Sequence, residues 1–354
     1  MTIRVLLRPP DGQPLVRDIV DLHWAEPSGD PSSVLGEGLW ALPGLVDAHS
    51  HLAAAELDYR PGSIEGAVRR AGEALLAGVT LVLDKGWADD TTVRVIDILA
   101  ADQRPEIEAA ATLIAGPEGY FPGFAREVTP DRLEEAVVEE ARRGSGWVKL
   151  VGDWPRRGIG PVANFTESEL RLAVETAAST GSRVAIHTMA REVPSMAVKA
   201  GVQSIEHGLF LTESDIEALG ARMGMWVPTF MRVEATIADL GEGSSGRRLL
   251  VEGLANAASL LGPAVEAGVH VLAGTDLVGS PANVAAEALK LGEYGLSPVH
   301  VVEAVSSSAL IATGRPAGFE VGAPADAVLF PANPVEDPGV LAHPSLVIRL
   351  GRPV

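Results

Sequence analysis

Short apolar runs and longer amphipathic runs alternate along the chain from residue 44 to about 313. The apolar runs are Gly44–His49, Val79–Asp84, Glu108–Ile114, Trp147–Val151, Arg183–His187, Val202–His207, Met225–Thr229 and His270–Thr275. Most are apolar throughout rather than alternating, the pattern of strands buried on both faces. Between them apolar residues recur at helical spacing over Ser63–Ala77, Thr91–Ala101, Pro130–Arg143, Glu167–Thr180, Pro194–Ala200, Glu213–Ala221, Ser245–Ala267 and Ala282–Leu291. Thr166 and Thr212 open two of these runs as helix N-caps, each with an acid three residues on. Gly78, Gly181, Gly201 and Gly268 follow helical runs, where a C-terminal glycine belongs.

Eight such β-α units predict an α/β fold, a (β/α)8 barrel over residues 44–315. A doubly wound sheet is the alternative, but the Gly-rich phosphate loop expected after its first strand is missing. His49, Ser50 and His51 stand there instead. The ends read differently. Residues 1–43 and 316–354 carry short alternating runs separated by turns, and together predict a small β-sandwich built from both termini.

Composition narrows the function classes. The chain has 354 residues, no cysteine and a formal charge of −19. Thiolate ligands, thiol nucleophiles and disulfides are therefore excluded. The acidity argues against nucleic-acid and anionic-membrane partners, both of which need a basic face. No run reaches the ~18 consecutive apolar residues of a membrane span. The start, Met1-Thr2-Ile3-Arg4-Val5, lacks the layout of a secretion signal, so a cytoplasmic location is expected. A small-molecule substrate is the expected partner, and a homo-oligomer is left open.

The chemistry-bearing residues fall where a barrel keeps its active site, at the C-terminal ends of strands. His49 and His51 end the first run, and i, i+2 spacing on a strand puts both on one face. His187 ends the fifth run, His207 the sixth, and Asp276 follows the eighth. Imidazoles converging in this way can grip a divalent metal. Each has a plainer reading: a hydrogen-bonded core histidine, or an aspartate N-cap for Asp276. Lys149 lies inside the apolar fourth run, in a chain with only four lysines. It is either one half of a buried ion pair or an amine made neutral by burial. A neutral amine can add CO2 and release a proton, giving a carbamate able to bridge two metals.

As a set, P-G-L-V-D-A-H-S-H (43–51), A-G-V-T (77–80), V-K-L (148–150), S-I-E-H-G (204–208) and A-G-T-D (273–276) resemble the amidohydrolase superfamily, in its imidazolonepropionase-like and prolidase-like branch. The C-terminal G-A-P-A-D-A-V-L (322–329) resembles the sandwich that follows the barrel there. One stretch departs: Thr80-Leu81-Val82-Leu83-Asp84-Lys85-Gly86 stands where many members show Thr-Thr-Val-Arg-Asp. The resemblance implies two divalent metal ions, zinc by default. His49 and His51 would bind the more buried ion with Asp276, His187 and His207 the more exposed one, and Lys149, carboxylated by CO2, would bridge both. It implies hydrolysis of a C–N bond of an amide, cyclic amide or dipeptide-like molecule by a hydroxide held between the metals, with Asp276 moving the proton. A mononuclear aminohydrolase of a nitrogen heterocycle, a lactone or ester hydrolase on the same centre, and a non-catalytic metal-binding protein are the alternatives. Substrate recognition is expected from the loops after the strands, with Trp87, Tyr120, Trp154, Arg191, Phe210, Phe230 and Arg232 as candidates.

Overall fold

In the computed structural model, which describes residues 2–10, 12–54 and 62–354, the apolar runs pair as parallel strands. Leu45–Ser50, Val79–Asp84 and Glu106–Ala109 form a three-stranded sheet. A seven-stranded sheet runs in the order Arg126–Glu127, Ile114–Ala115, Trp147–Val151, Arg183–Thr188, Ser204–His207, Met225–Val227 and His270–Val271. Backbone hydrogen bonds join the two sheets at both edges. Ala109 and Ser145 exchange bonds on one side; on the other, Ala48 donates to the Ala273 carbonyl and Asp276 to that of His49. The strands therefore close into a ring, which removes the open doubly wound sheet from consideration.

The ring is filled and wrapped as the apolar pattern requires. Val46, Ala48, Leu81, Leu83, Trp147, Ala185, Met225 and Val227 pack into one buried cluster. Helix faces and the opposite strand faces share a larger one, with Ala71, Val79, Leu170, Ile186, Leu219 and Leu261 among its members. The helices start where the chain provides an acceptor for their free amides. Thr166 and Thr212 both form capping boxes, opening Glu167–Ser179 and Glu213–Gly220. No helix among the described residues is long and apolar enough to cross a membrane.

Several expectations need correction. The third strand is Glu106–Ala109, not Glu108–Ile114. The small residues Ala109–Thr112 offer little side chain to pack on a sheet face, and only a Trp87–Thr112 bridge continues the pairing there. The last strand is two residues long, so Asp276 sits in the loop beyond it. A helix, Phe230–Asp239, is separated from the seventh strand by only two residues and buries Phe230, Val233 and Ile237 at helical spacing. A hairpin of Asp153–Arg156 and Gly160–Ala163 follows the fourth strand and has no apolar run to announce it.

The two ends of the chain come together. Ile3–Leu7, Leu15–Val20, His23–Ala25 and Ser33–Leu35 form one four-stranded sheet. Trp40–Leu42, Ala327–Phe330, Leu346–Arg349 and Arg352–Pro353 form another. Val5, Leu7 and Trp24 from the first meet Ala41, Leu329 and Ile348 from the second in a separate buried cluster.

Candidate metal centre

The C-terminal ends of the strands open into a cavity of about 800 Å³ whose lining includes His49, His51, Lys149, His187, His207 and Asp276. The side chains named from sequence on four strands and one loop thus reach one space.

Their orientation is set by what each imidazole does with its other nitrogen. His51 Nδ1 lies 2.6 Å from the Gly86 carbonyl oxygen, and His49 Nδ1 stands 2.6 Å from Glu206 Oε2. Such oxygens only accept, so both Nδ1 atoms carry the hydrogen and both Nε2 atoms a lone pair. His207 Nδ1 lies 2.6 Å from Thr229 Oγ1, whose own hydrogen goes to the Pro228 carbonyl, so His207 is held in the same way. The freed Nε2 atoms turn towards Asp276. Oδ1 is 3.5 Å from His49 Nε2 and 3.4 Å from His51 Nε2, and Oδ2 is 3.7 Å from His207 Nε2. His187 presents Nδ1 instead, 2.9 Å from His207 Nε2.

These spacings fit a metal ion. Ligand atoms bound at ~2.0–2.1 Å around a tetrahedral ion stand roughly 3.3 Å from one another. One ligand atom each from His49, His51 and Asp276 lies within 4.8 Å of the others. Burial drives His49, His187 and His207 to the neutral form a metal needs: His49 is pushed down to about 4, His187 to about 3 and His207 well below its ordinary value. Burial would raise the Asp276 carboxyl, but His49, His51 and His207 beside it hold it well below the usual carboxylate range. Burial pushes the Lys149 ammonium down to about 8, and its Nζ has no hydrogen-bond partner. A buried amine left so is costly by itself, and a group bridging to metal would use it.

Three of the turns that deliver these side chains have left-handed backbone at a residue other than glycine: His207 at φ 63°, Thr229 at φ 51° and Asp276 at φ 36°. At His207 this breaks the alternation of the strand, so Glu206 and His207 both face the site although they are neighbours in sequence.

Buried acids that the sequence reading did not single out brace the floor. Asp47 accepts from Thr275 N at 3.0 Å, Thr275 Oγ1 at 2.6 Å and His49 N at 3.1 Å, tying the first strand to the loop that carries Asp276. Asp84 accepts from Leu52 N and Gly86 N, fixing the segment after His51. Their signal was an acid inside a run of buried apolar residues. Asp47→Ala would leave three donors without an acceptor, at about 1–3 kcal/mol for each buried group. We expect a loss of stability of roughly 3 kcal/mol or more, together with weaker metal binding, measured by urea denaturation and metal titration.

The candidates for substrate recognition divide. Tyr120, Trp154, Arg191 and Arg232 line the cavity. Tyr120 and Trp154 meet with ring centroids 4.5 Å apart, and Trp154 lies 6.2 Å from the His187 ring. Arg191 makes two hydrogen bonds to Glu252 at 2.7 and 2.6 Å, so its charge is already matched. Trp87, Phe210 and Phe230 are not among the lining residues. Trp87 is buried behind the site, its ring 5.4 Å from His51 and 4.6 Å from Phe124. Phe210 is buried with Arg191 4.7 Å above its ring. Phe230 is fully buried and packs on Tyr294, because it is the first core position of its helix.

Comparisons with known proteins identify the family and the fold. Residues 40–354 match the model of the amidohydrolase family. An uncharacterized protein of Mycobacterium tuberculosis is 36% identical over 330 residues, covering 89% of this chain and 85% of its own. The ochratoxinase of Aspergillus niger is 28% identical over 232 residues, covering 62% of this chain and 48% of its own. Among solved structures, a Xaa-Pro dipeptidase with bound methionine superposes with a TM-score of 0.83 at 21% identity, covering 100% of both chains.

Proposed function

Because the chain belongs to the amidohydrolase family and is a metal-dependent hydrolase of carbon–nitrogen bonds, we propose that it cleaves a small amide, cyclic amide or dipeptide-like substrate at the floor of the 800 Å³ cavity. In this reading His49, His51 and Asp276 hold one divalent ion, and His187 and His207 a second. Lys149, carboxylated by CO2, spans the two, and zinc suits the nitrogen and oxygen donors. When bound, such ions acidify water and polarise a carbonyl.

The chain's own residues supply the rest. Glu206, the Gly86 carbonyl and Thr229 keep the ring hydrogens of His49, His51 and His207 turned away from the reacting centre. Asp276 takes up one proton and passes it to the leaving nitrogen. Tyr120 and Trp154 offer an apolar wall that seats the substrate and sheds water. We also infer that residues 1–43 and 316–354 form a small β-sandwich beside a catalytic barrel of residues 44–315.

The observation that carries the reading is the meeting of six side chains on one cavity floor, with the Nε2 atoms of His49, His51 and His207 within 3.7 Å of the Asp276 carboxylate. Dialysis against a chelator should bring turnover to background, and added zinc should restore it. Full turnover without metal would reject the proposal. The assay is a panel of N-acyl amino acids, dipeptides, lactams, lactones and aminated heterocycles. Amide cleavage is the expected outcome; ammonia release or lactone opening alone would favour a deaminase or an ester hydrolase on the same residues.

A further inference from the structure

A second buried lysine lies beneath the side chains assigned above. Lys85 follows the last residue of the second strand, two positions beyond Leu83 and four beyond Leu81, both part of the barrel filling. Its Nζ stands 3.3 Å from Glu206 Oε1 and 4.3 Å over the Trp147 ring. Ser204 Oγ donates to the same Glu206 oxygen at 2.6 Å. The other oxygen, Oε2, stands 2.6 Å from His49 Nδ1. One buried carboxylate thus joins Lys85 to a candidate metal ligand.

An apolar residue would fill this space at lower electrostatic cost, since a buried ammonium is unfavourable unless paired. Glu206 is bracketed by Lys85 and Ser204 at one oxygen and by His49 at the other. We infer that Lys85 is a positioning residue for the metal centre: its ammonium holds Glu206 on His49. The inference rests on the two-metal reading above.

Three proteins test it: the wild type, Lys85→Met, which keeps the bulk and removes the charge, and the double variant Lys85→Met/Glu206→Gln. In the double variant the amide oxygen still accepts from His49 Nδ1, and no buried carboxylate is left without its cation. Each is titrated with zinc against a competing chelator. Loss of such a support for a ligand typically weakens metal binding about 10- to 100-fold, so Lys85→Met should bind zinc at least about tenfold more weakly than wild type. The double variant should recover most of that affinity. Wild-type affinity in Lys85→Met, or a double variant no better than the single one, would overturn the inference. Should Lys85→Met not fold, the double variant decides alone: affinity within about threefold of wild type supports the inference, and a loss of about tenfold or more overturns it. A wild type that binds no metal would instead remove the two-metal reading itself.

Discussion

Lys149→Ala is expected to retain at most one divalent ion per chain and to lose nearly all hydrolytic turnover. The reason is charge. Two divalent ions ~3.5–4 Å apart repel by roughly 20 kcal/mol at an effective dielectric of about 20. The five other proposed ligands are four neutral imidazoles and the single carboxylate of Asp276. A carbamate on Lys149 adds an anion between the ions, and alanine removes it. Glu206, a buried carboxylate beside His49, is already engaged by Lys85. Metal content by atomic emission and turnover on the amide panel are the readouts. Because the carbamate is assembled from CO2, a short carboxylic acid added with fresh zinc should partly restore the alanine variant. Two ions and normal turnover in Lys149→Ala would return Lys149 to the status of a core lysine.

Asp276→Asn should separate metal binding from proton transfer. The amide retains an oxygen for His49 and His51 but neither the negative charge nor the capacity to take a proton. General acid–base groups typically contribute about 10²–10⁴ in rate, and a loss in kcat of that size is expected with at least one ion still bound. KM should change far less, because the cavity wall of Tyr120 and Trp154 is untouched. A metal-loaded asparagine variant with wild-type kcat would show that the proton passes elsewhere.

The fold was legible because a barrel repeats one pattern, and both capping boxes formed where a hydroxyl and an acid stood three residues apart. The histidines and Lys149 stood out as polar residues ending or interrupting apolar strands. What escaped reading depends on distant partners. Arg191 looks available in sequence, yet Glu252, 61 residues away, accepts from both of its terminal nitrogens. Phe230 reads as a loop aromatic because the helix that buries it is separated from the strand by only two residues. Glu206 was hidden by its neighbour: strand alternation puts it opposite His207, and only the left-handed backbone at His207 brings both inward.

The left-handed residues at His207, Thr229 and Asp276 carry a consequence for anyone adapting this scaffold. Conformations of this kind cost of order 1–3 kcal/mol each when the residue is not glycine. A library screened on melting temperature alone would enrich glycine at these positions, giving proteins that are sturdier and inert. Selection for endurance and selection for turnover pull in opposite directions at the same three points of the backbone. Directed evolution from this chain therefore needs an activity gate from its first round.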